Sequence, residues 1–132
     1  MNTIRFVLLF SFLLLASCKE NSNPTNVQRD YGSLTQSWTN SIEEQSDSVQ
    51  VYRPSSYKEF PAARFREVLV FTKDSSCSYL VLSPTDAHYM QQGRWSMISP
   101  NRVTILDTSL TIYKTIEILE LKQDLLRCVD VN

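Results

Sequence analysis

The sequence predicts an all-β fold, a small eight-stranded antiparallel up-and-down barrel spanning residues 33–132. Three observations carry that expectation. Apolar residues recur at every second position in several short segments, turn-forming residues separate those segments at short intervals, and there is neither helical periodicity nor a strand–helix–strand alternation. A chain of 132 residues has room for one small domain.

Taken in order, the expected strands are Ser33 to Ile42, Val49 to Arg53, Val68 to Thr72, Cys77 to Leu82, Tyr89 to Ile98, Arg102 to Leu106, Thr111 to Leu119 and Leu125 to Val131. The period is plainest in the fourth, where Cys77, Tyr79 and Val81 oppose Ser78, Leu80 and Leu82, so both faces carry apolar side chains. In the sixth, Val103 and Ile105 oppose Arg102 and Thr104. In the seventh, Ile112, Ile116 and Ile118 oppose Tyr113, Thr115 and Glu117, and Lys114 interrupts the apolar face, which requires a partner or a place at a barrel mouth. Lys73 to Ser76, Ser83 to Asp86 and Ser99 to Asn101 are short, turn-prone connections, and short connections between consecutive strands imply antiparallel neighbours. Eight strands suffice to close a small barrel, whose interior is filled by its own side chains or holds one small ligand.

One connection is different. Residues 54–67, PSSYKEFPAARFRE, are long for a hairpin. Arg53, Lys58, Arg64 and Arg66 oppose only Glu59 and Glu67 there, beside Tyr57, Phe60 and Phe65. Arg53, Tyr57, Lys58, Phe60, Arg64, Phe65 and Arg66 are thus the candidate lid over a barrel mouth, suited to an amphipathic or anionic ligand. The plainer expectation is that the three aromatics plug a barrel end and the bases are solvated.

Composition excludes several functions. Thirteen Lys and Arg against fourteen Asp and Glu give a net charge of −1 with no basic run, which does not suit phosphate-neutralising nucleic-acid binding. A single His, with no His, Cys and carboxylate group at ligand spacing, supplies no catalytic zinc set, and no other metal or cofactor is expected. Asp86 and His88 share a turn without a nucleophile, so His88 reads as a hydrogen-bonded turn histidine, and no enzyme activity is expected.

The N-terminus is an address. From Met1 to Ser17, twelve of seventeen residues are apolar, behind a single Arg5; this is a charged n-region and an h-region too short to span a bilayer as a helix. Leu15-Ala16-Ser17-Cys18 then resembles the lipobox of bacterial lipoproteins at every position. The resemblance implies cleavage before Cys18, lipidation of its sulfur, and firm membrane attachment by more than one acyl chain. Residues 1–17 are the expected signal peptide. Residues 18–32, polar and nearly free of apolar side chains after Cys18, are the expected tether, with an end-to-end distance of about 20 Å. Lys19-Glu20 is similar to surface-export signals of Bacteroidota lipoproteins, which implies the outer membrane of a bacterial envelope.

Further motifs resemble the small lipocalin-like domains of such lipoproteins. These are Leu34 with Trp38 on the first strand, Val70 to Asp74 followed by Cys77 to Tyr79, Gly93-Arg94-Trp95 followed by Asn101 to Ile105, and Tyr113 to Ile116 with Leu119 to Leu126. Gln36 departs from the family, which often has Gly there. The resemblance implies a binding protein for a small apolar or amphipathic ligand, monomeric, with Trp38 and Trp95 filling or closing one end. The alternative is a protein-interaction or inhibitor module with a packed barrel, whose partner is an envelope protein. Cys77 and Cys128 lie on the fourth and eighth strands, not neighbours in that layout, and are either a disulfide or two buried thiols.

Overall fold

The computed structural model describes residues 31–85 and 87–131; Cys18, the expected lipidation site, the expected signal peptide, residues 18–30 of the expected tether and Asp86 lie outside the described residues. A 3-10 turn, Tyr31–Leu34, precedes β1 (Ser37–Asn40), a second 3-10 turn (Ile42–Glu44) and β2 (Gln50–Pro54). The rest is β3 (Val68–Phe71), β4 (Ser76–Leu82), β5 (His88–Ser99), β6 (Arg102–Asp107), β7 (Ile112–Lys122) and β8 (Leu125–Asp130). All eight strands close into one antiparallel barrel.

The first expected strand, 33 to 42, is shorter than its sequence pattern. Thr35 N–H bonds to Gly32 C=O and Gln36 N–H to Leu34 C=O, so the chain curls before it extends. The Trp38 indole N–H donates to Leu34 C=O at 2.9 Å, fixing the curl across the barrel end. Tyr31 and Gly32 therefore belong to the folded body.

Strand order is β1-β2-β8-β7-β6-β5-β4-β3, closed by β1 against β3. From β3 to β8 the chain runs up and down between neighbours as expected. The first two strands exchange places, with β2 lying between β1 and β8. Because β2 and β3 are both antiparallel to β1, they run in the same direction, and residues 55–67 must travel back along the barrel to join them. That is the reason for the long connection.

The lower end holds the turns at 72–75, 100–101 and 123–124 together with the Tyr31–Leu34 turn, and the upper end holds the β4–β5 and β6–β7 turns. The interior is filled. Trp38, Tyr52, Tyr79, Phe71, Leu69 and Leu126 are fully or almost fully buried, and Val103, Ile105, Ile116, Ile118 and Cys128 complete the column. Burying each large side chain stabilises by about 1.5–3 kcal/mol. Gly93 is required beside this column, since a Cβ there would overlap the Leu106 carbonyl oxygen and press on the Tyr79 ring. Trp95 packs edge-on against Phe71 and donates its indole N–H to Thr72 C=O at 3.0 Å, so both tryptophans serve the lower end.

Cys77 and Cys128 are free, buried thiols, which excludes the disulfide from this structure. Their strands stand four places apart in either direction around an eight-stranded barrel, on opposite walls with the aromatic column between them. Disulfide geometry needs Cα atoms within about 7 Å. Burial pushes the Cys77 thiol up to about 11 and the Cys128 thiol up to about 12.

Candidate functional site

The candidate lid residues are gathered, but on the outside of the barrel. Ser55 Oγ lies 2.7 Å from Ser37 Oγ and 2.8 Å from Thr39 Oγ1, on the opposite face of β1 from the buried Trp38. The connection thus crosses over the outer face of β1. The second 3-10 turn locks it there. Arg53 makes a two-nitrogen contact with Glu44 (2.6 and 3.1 Å), and Arg66 does the same with Glu43 (2.7 and 3.1 Å). Lys58 reaches Glu44 at 3.8 Å. Arg53 lies over the Tyr57 ring, and Lys58 and Arg66 both lie over Phe60, at centroid distances of 4.7, 5.4 and 5.4 Å. Phe65 leaves this group and meets the His88 ring at 5.7 Å. Five of the seven therefore form a brace, in which each base has a carboxylate and each aromatic a cation. Neither the lid nor the barrel-end plug describes it.

The upper end carries a second cluster, centred on Glu67, the last residue before β3. Its Oε2 accepts from Tyr52 Oη at 2.5 Å and from Lys114 Nζ at 2.7 Å, and its Oε1 accepts from Tyr113 Oη at 3.3 Å. Lys114 also meets Asp130 at 3.5 Å, and Gln50 donates to Asp130 at 3.1 Å. The Glu67 and Lys114 side chains are only 11% and 13% exposed. Lys114, the residue that interrupts the apolar face, thus has both a partner and a mouth position. Burial, with the Glu67 charge adding to it, holds the Tyr52 and Tyr113 phenols far above their ordinary range, so both remain hydrogen-bond donors.

A β-bulge assembles this cluster. Ile105 pairs with Lys114 and Leu106 with Ile112, leaving Tyr113 as the extra residue. Plain alternation places Tyr113 opposite Lys114; the bulge lets both side chains reach Glu67. The same irregularity takes Ile112 out of the row of Ile116 and Ile118, and Ile112 is exposed. Tyr113 stacks on the buried Tyr79 at 3.8 Å. No pattern in the strands announces the bulge; Lys114 alone signals an exception, and Glu67 reads only as one more charge in a loop.

Around this mouth lie large apolar side chains in water: Leu82, Tyr89 and Met90 on β4 and β5, and Leu110, Ile112 and Tyr113 at the β6–β7 turn. His88 begins β5 and is exposed. At the lower end an open cleft of about 410 Å³ is lined by Gly32, Ser33, Thr35, Gln36 and Gln123, all polar or glycine. Among the described residues, no three His, Cys, Asp or Glu side chains are grouped to hold a metal ion. Comparison with protein-family models, with curated proteins and with solved structures finds no match to this chain.

Proposed function

We propose that this protein is a lipid-anchored, lipocalin-like module of the bacterial envelope, without enzyme activity, that binds another envelope protein through its outer surface. The observation that supports this reading over carriage of a small apolar ligand is the column of side chains along the barrel axis, from Trp38 through Phe71 and Tyr79 to Ile116, which takes the space a ligand would fill. The cleft of about 410 Å³ lies outside that column beside the first 3-10 turn, and its polar lining is a poor match for an apolar guest. The lipobox at Leu15 to Cys18 supports the anchor.

Native mass spectrometry of the full chain recovered from envelopes, alongside its Cys18→Ala variant, tests the whole reading. The expected result is membrane recovery of the wild type with one stoichiometric protein partner, and release of the variant into the soluble fraction. A stoichiometric small apolar molecule in place of a protein would overturn the interaction reading. Unchanged membrane retention of the variant would overturn the anchor.

A further inference from the structure

Barrels close to remove strand edges, and this one closes incompletely at its upper rim. β4 and β5 pair along seven positions, from Ser76 opposite Arg94 to Leu82 opposite His88. On its other side β5 pairs with β6 only from Gly93 downward, because β6 ends at Asp107 and turns. Residues 88–92 therefore stand above β6 with one side unpaired.

The polarity of that side follows from the ladder. Trp95 N–H bonds to Ser75 C=O and Ser83 N–H to Ala87 C=O, so the odd-numbered residues of β5 direct their backbone groups toward β4. The even-numbered ones, His88 and Met90, direct theirs toward the place where β6 would continue. Among the described residues, no backbone bond fills it. An unpaired strand edge is a template for an added strand.

The surroundings fit an apolar visitor. Tyr89 is 51% exposed and stands beside Met90, so an added strand would set its alternate side chains against these two in turn. Below the open edge, the β6–β7 turn presents Leu110 and Ile112, 66% and 64% exposed. Leu110 adopts φ +62°, a left-handed conformation that disfavours a branched side chain and that Gly or Asn would adopt at less cost. The turn is held by the Asp107 carboxylate, which accepts from Ser109 N–H at 2.8 Å and Thr111 N–H at 2.9 Å. A strained leucine aimed at water beside an open strand edge is costly on both counts for folding alone.

We infer that the upper edge of β5, His88 to Met90, docks an extended segment of a partner protein, with apolar residues at alternate positions and a Lys or Arg at its flank. This rests on the protein-binding reading above and names its surface. The basic residue follows from charge: Glu67, Asp107 and Asp130 outnumber Lys114 beside this edge, and Arg66, the next cation, is already taken up by Glu43. A second copy of the chain would bring the same acidic end against itself. The chain's own N-terminal residues enter at the opposite end, where the Tyr31 hydroxyl donates to Pro100 C=O, and residues 19–30 are too polar for the rim.

The test uses the full, anchored chain in its native envelope, with a photo-cross-linking phenylalanine analogue placed at Tyr89, Leu110 or Ile112, and at Ile98 and Leu119 as lower-end controls. Cross-links from the three upper positions should fall on one contiguous, extended stretch of one partner, with a basic residue inside or beside it. Met90→Pro removes an N–H that faces the open side and leaves the β4 ladder intact, so it should cut the upper cross-link at least tenfold, while Met90→Ala retains most of it. Leu110→Asn, which keeps the turn conformation, should also weaken it severalfold. Amide exchange supplies an independent readout: Met90 should exchange quickly in the purified chain and slowly in the complex. Protein cross-links only from Ile98 or Leu119, or a Met90→Pro chain that folds and cross-links as the wild type does, would overturn this inference while leaving the protein-binding reading intact. No protein cross-link at any position, with a small molecule bound instead, would overturn both.

Discussion

The two ends of this barrel are closed by opposite chemistry. At the lower end Leu34 and Trp38 are completely buried, one indole hydrogen bond ties them together, and Trp95 repeats the device against Thr72. Both indole N–H groups there are spent on positioning an apolar plug. At the upper end a carboxylate, an ammonium and two phenols close the mouth, at a desolvation cost that aliphatic side chains would avoid. Around them leucine, isoleucine and tyrosine face water. The lower end is closed by packing. The upper end carries features that stability does not require, and that asymmetry points to it as the working end.

The comparison breaks most visibly at Trp38. Trp38→Ala should remove about 4 kcal/mol, the range for emptying a large aromatic site, because the cavity also strips Leu34 of its contact and its carbonyl of a donor. The denaturant midpoint measures it. A loss below about 1 kcal/mol would mean that the lower plug is not the structural end.

Glu67→Ala should cost about 3 kcal/mol, because it leaves Lys114 with only the longer contact to Asp130, removes the acceptor of Tyr113 and leaves Tyr52 to Gln50 Oε1 alone. The sharper experiment replaces both ends of the pair. Glu67→Leu with Lys114→Met should recover most of that loss in the same denaturation assay, since two aliphatic side chains avoid the desolvation cost. If the double variant stays as unstable as the single one, the network is a structural keystone, and the contrast between the two ends disappears.

The sequence displays the strands more openly than it displays the order in which they meet. Alternation locates seven of the eight strands to within a few residues, because a strand's period depends on which face is buried, and that is local. The exchange of β1 and β2 leaves no period behind. Its trace is the length of residues 55–67, which reads as a lid because the same cations and aromatics suit a mouth and a brace equally well. Arg53, Lys58 and Arg66 acquire their meaning from Glu43 and Glu44, which lie before β2 in the chain and become neighbours of Lys58 and Arg66 only through the crossover. The site around Glu67 is hidden for the same reason, since its three partners come from two separate strands and Asp130 reaches Lys114 from a third. Lys114 is legible because a lone charge on an apolar face always demands a partner; which partner depends on long-range pairing.

The smallest effect concerns the brace. The Arg53 guanidinium beside Glu44 holds its carboxyl at about 2, against an ordinary value of 4.5, and Arg66 lowers Glu43 in the same direction. A carboxyl whose pKa is lower folded than unfolded contributes stability that is fully present above about pH 4.5 and is lost as the pH falls toward 2. Glu44 is close to one-third exposed, so solvent screening limits its share to no more than about 1 kcal/mol. Urea midpoints of the wild type should therefore decline across that window, and Glu44→Gln should decline less steeply while starting lower at neutral pH. Parallel slopes would mean that the crossover is held to β1 by Tyr57 and Phe60 beneath their cations and by Ser55 against Thr39, contacts that do not titrate. The brace would then resemble the lower end in depending on packing, and charge-based closure would be confined to the mouth around Glu67.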